Sequence, residues 1–331
     1  MQQPIRWSTR RTGLSAARVA FAPDVWPFGN VEAALFDAGL KPTLKLEDLT
    51  PGERRRWWYR HDAPTIACGA VQDQRKLPST GSRLLAGKGS QFRHPITYYM
   101  SHSHEALHEL LRCEREQRTG GPGRAEAIRT AGRLLGYPDC CTAAFATLER
   151  QDDAQVVAAY GRNVTAEGKV RVLRAADPLL NFFPPLSSPV SWYPCSLSCS
   201  ASVMLARRAL SLLPDQEADR LRGFLSGAVL AFDKFRFVHL HGAALDGDRI
   251  TWESVSDALS TPFPPRALAG SSILRAFRRE VTRVFASARE LTLTEEAISV
   301  RTARGRIVRG LLLAPLTVVW FPSTRASGGA E

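Results

Sequence analysis

Apolar residues recur along this chain with a period that changes from block to block, and the changes mark the elements. Ala106, Leu107, Leu110 and Leu111 recur at helical spacing within residues 101–117, and Ala125, Ile128, Ala131 and Leu135 within 124–135. A recurrence every three to four residues lays an apolar stripe on one side of a helix, so both segments are predicted as amphipathic helices. Between them Thr119-Gly120-Gly121-Pro122-Gly123 interrupts the pattern, and Gly136 stands where the second helix should stop. Helices are likewise expected over 31–40, 153–160, 201–213, 215–232 and 271–289.

Short apolar runs and period-two alternation predict strands at 63–71, 235–245, 249–253, 291–301, 306–313 and 318–321, with Asp246-Gly247-Asp248 as a hairpin turn. Helices and hairpins interleave without regular βαβ spacing. The expected class is α+β, helices with short antiparallel hairpins. The glycine-rich break suggests a mixed N-terminal region over 1–118 and a second domain over 119–331, with one continuous core as the alternative.

Composition narrows the class without naming a function. At 331 residues, 44% hydrophobic and 23% charged, the chain has globular rather than disordered character. No apolar run reaches the roughly 18–20 residues that span a bilayer, and the first residues lack a secretory leader. A soluble, cytoplasmic protein with no membrane partner is expected. The net charge of +12, from 44 Lys+Arg against 32 Asp+Glu, is compatible with an anionic partner such as nucleic acid or a phosphorylated ligand, but arginine- and alanine-rich chains carry such a charge without one and the basic residues are spread along the sequence. Arg54-Arg55-Arg56-Trp57-Trp58-Tyr59-Arg60 interleaves basic and aromatic residues, as stacking on bases requires; a helix with buried tryptophans and wet arginines gives the same pattern. Ala86-Gly87-Lys88-Gly89-Ser90 lacks the spacing of a phosphate-binding loop.

The cysteines carry the chemistry. Four of six fall in Gly136-Tyr137-Pro138-Asp139-Cys140-Cys141 and in Tyr193-Pro194-Cys195-Ser196-Leu197-Ser198-Cys199-Ser200. Each stretch is expected to open a helix, the first with Asp139 as its N-cap and the second with a serine at 196, 198 or 200. The free N–H groups and positive dipole end of a helix start stabilise thiolate, the form that binds metal or attacks. In a reducing compartment such clusters are ligands or redox groups more often than bridges. Zinc and an iron–sulfur cluster both accept four thiolates, and the tyrosine and proline neighbours favour the cluster by shielding it from solvent. Cys68, in an apolar strand, is expected to pack rather than ligate.

Two histidine patterns offer further candidates. His104-Glu105-Ala106-Leu107-His108 matches H-E-x-x-H, which on a helix aims two imidazoles at one zinc with Glu105 as general base. Charged Glu109 and the missing third ligand weigh against it. His239 and His241 point to one face of their strand and are expected either as secondary ligands to the cysteine site or as lining of a half-buried sheet.

Leu134-Leu135-Gly136-Tyr137-Pro138-x-Cys140-Cys141-x-x-x-Phe145 and Pro194-Cys195-Ser196-x-x-Cys199-x-x-Ser202 are similar to the paired words of an uncharacterised prokaryotic family, over about residues 124–245. That resemblance implies that Cys140, Cys141, Cys195 and Cys199 belong to one site; it supplies no reaction. The leading expectation is thus a metal- or iron–sulfur-binding protein with a redox role, an oxidoreductase if it is an enzyme. A zinc hydrolase built on His104, Glu105 and His108, a metal-free dithiol protein, and a basic non-enzymatic protein with a structural metal are the alternatives.

Overall fold

The structure is a computed structural model, and it describes residues 7–9, 34–49, 66–71, 96–148, 170–173, 176–183, 188–231, 236–257, 272–285, 288–294, 298–302, 307–309 and 316–323. Helices and small, mostly antiparallel sheets make up the fold, as an α+β chain requires. The described residues up to 148 form one compact unit and those from 170 onward another. The basic-aromatic run at 54–60, the stretch at 72–95 and the helix expected at 153–160 lie outside the described residues.

In the first unit, β1 (Trp7–Thr9), β2 (Thr43–Leu49), β3 (Ile66–Val71) and β4 (Ile96–Ser101) make one antiparallel sheet in the order β1-β3-β4-β2. β4 pairs Met100 with Ala67 on one side and with Leu44 on the other. It runs directly into α1 (His104–Thr119), whose N-cap Ser103 accepts the Ala106 N–H at 3.2 Å. Tyr99 of the strand and Leu107, Leu110, Leu111 and Cys113 of α1 pack with Ala127 and Ala131 of α2 (Arg124–Leu134) and with Leu135. The boundary expected at 118/119 therefore falls inside this unit. Gly120, at φ 74°, makes the turn.

Gly136, at φ 71°, stops α2 as its position suggested, and the Tyr137 N–H returns to the Gly132 carbonyl at 2.8 Å. The chain then turns through Pro138 into α3 (Asp139–Ala146). α3 lies so close to α2 that a β-carbon on Gly132 would overlap the Thr142 side chain. A glycine inside a helix costs about 1 kcal/mol relative to alanine, and here it permits this close approach.

The second unit contains β5 (Val170–Leu173), α4 (Ser200–Leu210), α5 (Asp215–Leu225), β6 (Gly227–Ala231), β7 (Phe237–His241), β8 (Ala244–Asp246), β9 (Arg249–Thr251), β10 (Ser254–Asp257), α6 (Ser272–Phe285), β11 (Ala288–Leu293), β12 (Ile298–Thr302), β13 (Ile307–Arg309) and β14 (Leu316–Phe321). One sheet runs β10-β7-β6-β14-β5, with only β14–β5 parallel, and the other runs β13-β12-β11-β9-β8. Their facing residues share a core: Ala228, Leu230, Val238, Leu240 and Val318 meet Ile250, Leu291 and Val300, with Val281, Val284 and Phe285 of α6. The helix expected over 215–232 is two elements, because Ser226 and Gly227 end α5 and β6 begins at once. β6 is buried at every position, so it lacks the alternation that distinguishes a strand from a continuing helix. The strand expected at 291–301 is likewise the β11–β12 pair. No helix among the described residues is long and apolar enough to cross a membrane.

Candidate metal centre

Local sequence places each cysteine. At the start of α3 the Cys141 and Thr142 N–H groups both reach the Pro138 carbonyl, at 3.0 and 3.1 Å. Pro138 is thus the N-cap and Asp139, expected there, is one residue inside; a proline loses nothing at a position whose N–H is not needed. Cys140 and Cys141 follow about 100° apart around the axis. Cys141 is buried and Cys140 exposed, so the two are not equivalent.

The second pair sits on a loop fixed from several sides. The Asp177 N–H donates to the Leu197 carbonyl at 2.7 Å, next to a 3-10 turn at Pro178–Leu180. Trp192 Nε1 donates to the Ser202 hydroxyl at 3.0 Å, a buried bond that ties the proline-rich approach to α4. Asn181 Nδ2 donates to the Leu225 carbonyl at 2.7 Å, and the Phe182 ring meets Tyr193 edge-on at 5.3 Å. Cys199, rather than one of the serines, is the N-cap of α4, and its sulfur makes no capping hydrogen bond. Cys195 is half-buried and Cys199 buried.

The Sγ atoms of Cys140, Cys141, Cys195 and Cys199 all lie within 4.8 Å of one another. Those of Cys140 and Cys141 are 3.8 Å apart. Four thiolates at ~2.3 Å from one tetrahedral ion have edges of about 3.8 Å, that is ~2.3 times ~1.63. Points no more than 4.8 Å apart fit within a sphere of about 2.9 Å radius, so an ion needs each sulfur to move inward by only about 0.6 Å. The convergence expected from sequence is present, and it can hold a metal.

The other candidates lie apart from this group. His239 is fully buried on β7, its Nε2 donating to the Ser226 carbonyl at 3.0 Å, while Nδ1 has no partner among the described residues. Its imidazole is 3.9 Å from that of His241, whose Nε2 meets the Ser256 hydroxyl at 2.7 Å. Burial pushes the His239 pKa well down, helped by neighbouring His241, and burial brings His241 down to about 4. Neither joins the cysteine group; the pair lines a sheet face against Phe224.

His104, Glu105 and His108 are exposed, and the group of possible metal ligands found among the described residues does not include them. The Ser103 hydroxyl donates to Glu105 at 2.6 Å and lowers its pKa, engaging that carboxylate in the helix start. Cys113 belongs to the α1 core, its thiol pushed up by burial. Cys68 lies in β3, opposite Tyr99 of β4. Two supports of the site have little sequence signal: Gly132, readable only as a helix-interior glycine, and buried Lys41, whose Nζ lies 5.1 Å from the centre of the Tyr137 ring. No protein-family model, curated protein or solved structure matches the chain.

Proposed function

We propose that the protein is a metal-binding protein in which Cys140, Cys141, Cys195 and Cys199 hold a single tetrahedral ion, zinc, in a structural tetrathiolate centre. The observation that carries this reading is the mutual spacing of the four sulfurs within 4.8 Å. A cluster distributes its cysteine sulfurs over separate irons, which spreads them well beyond the ~3.8 Å edge of a mononuclear site. The tight spacing favours one ion over the cluster that the sequence suggested. Four protein sulfurs leave no open position for water or substrate, so the centre holds structure rather than performing hydrolysis.

Two helix starts contribute to the same end. Cys140 and Cys141 lie in the first turn of α3 and Cys199 caps α4. Each N-terminus carries about half a positive elementary charge, which offsets part of the net negative charge of a zinc tetrathiolate. A mononuclear iron fits the same edges, and exposed Cys140 would give it a solvent-facing route for one-electron exchange. That is the second reading, and the one that retains a redox role.

Metal analysis of the purified protein separates them. The zinc reading expects one zinc per chain in colourless protein, retained in His104→Ala and lost in Cys199→Ser. One iron per chain without acid-labile sulfide would support the second reading. Acid-labile sulfide, or metal content indifferent to Cys199→Ser, would overturn both.

A further inference from the structure

α6 carries a row of arginines that no ion pair among the described residues neutralises. Arg275, Arg278 and Arg279 are exposed and have no ion-pair or hydrogen-bond partner among the described residues. Several arginines of the other helices are paired instead. Arg112 of α1 lies between Glu109 and Glu116 at 2.7 and 2.8 Å, Arg129 of α2 meets Glu126 at 3.1 Å, and Arg222 of α5 meets Asp219 at 2.6 Å. Arg207 and Arg208 of α4 sit in its last turn, where the helix dipole favours cations. On α6 the one acid, Glu280, is taken by Arg283.

This arrangement works against the helix that bears it. Arg275 and Arg279 are four residues apart and Arg275 and Arg278 three, spacings at which like charges on a helix repel one another. The three fall within about a 100° arc of the helix, and Arg275 and Arg279 are separated by about 6 Å along its axis. Guanidinium groups so placed offer several two-pronged hydrogen-bonding forks to phosphate oxygens at once.

The opposite side of α6 decides between polyanions. Val281, Val284 and Phe285 are buried in the shared core of the two sheets, with Phe277 packed against it. An amphipathic helix that binds a bilayer must sink its apolar face into the lipid, and this one has committed that face to the protein interior. With a chain charge of +12 behind it, we infer that the exposed face of α6 is a nucleic-acid contact, on which Arg275, Arg278 and Arg279 grip backbone phosphates. The contact is sequence-independent, since a row of arginines reads charge and spacing rather than base edges. It stands independently of the metal centre.

The test is titration of the full-length protein with mixed-sequence duplex DNA over a range of salt, beside R275Q/R278Q/R279Q and the control R207Q/R208Q. The wild type is expected to bind with an affinity that falls steeply with salt. The α6 variant should bind about tenfold or more weakly, with the log–log salt slope smaller by about 2 to 3, near 0.9 for each phosphate that is no longer neutralised. The control should bind as the wild type does. Because the replaced side chains are exposed and mutually repulsive, the thermal midpoint of the α6 variant should match or exceed that of the wild type. The inference is overturned by an unchanged slope in the α6 variant, by an equal loss in the control, or by wild-type protein that binds phosphatidylserine vesicles but not DNA.

Discussion

His241 gives this fold a calculable dependence on pH. Its imidazole is largely buried beside His239, and burial takes its pKa from 6.5 to about 4, against a hydrogen bond to the backbone of Phe224 that acts the other way. The unfolded chain therefore takes up a proton near pH 6.5 that the folded chain refuses until about pH 4. The stability linked to this refusal is fully present above pH 6.5 and is lost as pH falls towards 4. At about 1.36 kcal/mol per pH unit, the fall from 6.5 to about 4 amounts to about 3 kcal/mol, of which about 2 is lost between pH ~7 and pH ~5. His239, shifted in the same direction by burial, steepens the loss. Urea unfolding of the wild type and His241→Gln at these two pH values reports the contribution, because the carboxylates are common to both chains and His239 is held down chiefly by its own burial. The variant, whose amide can still meet the Ser256 hydroxyl, is expected to lose about 2 kcal/mol less between them. Equal losses would refute the reasoning.

Further outcomes follow from the supports of the cysteine site. Gly132→Ala places a methyl group against Thr142, so it should cost about 1–3 kcal/mol in chemical unfolding where alanine ordinarily stabilises a helix, and it should weaken metal retention by displacing α3. A Gly132→Ala protein as stable as the wild type would mean that α2 and α3 do not approach so closely. Trp192→Phe keeps an aromatic ring but removes the buried indole hydrogen bond to the Ser202 hydroxyl, a loss of about 1 kcal/mol that thermal unfolding would register. Cys113→Ser should leave metal content unchanged, because Cys113 belongs to the α1 core.

What can be read in advance follows from how local the signal is. α2 is legible because Ile128, Ala131 and Leu135 form a stripe and Gly136 adopts the positive φ that ends a helix. The two cysteine junctions are legible because proline fixes the approach and helix starts favour thiolates. β4 escapes the pattern. Ile96 to Ser101 is a short run between a glycine-rich stretch and a helix start, and its place between two strands rests on partners that begin at Thr43 and Ile66. β6 merges with the preceding helix in the sequence because burial on both faces erases period-two alternation. The histidine pair reads equally well as ligands or as packing. What decides is burial against Phe224 and a bond to the Ser226 carbonyl, neither of which spacing encodes.

X-ray absorption at the metal edge of the purified protein addresses the four-sulfur centre most directly. One ion held by Cys140, Cys141, Cys195 and Cys199 predicts a single shell of four sulfur scatterers at about 2.3 Å with no metal–metal vector. A metal–metal vector, or a first shell that includes imidazole nitrogen or carboxylate oxygen, would contradict it.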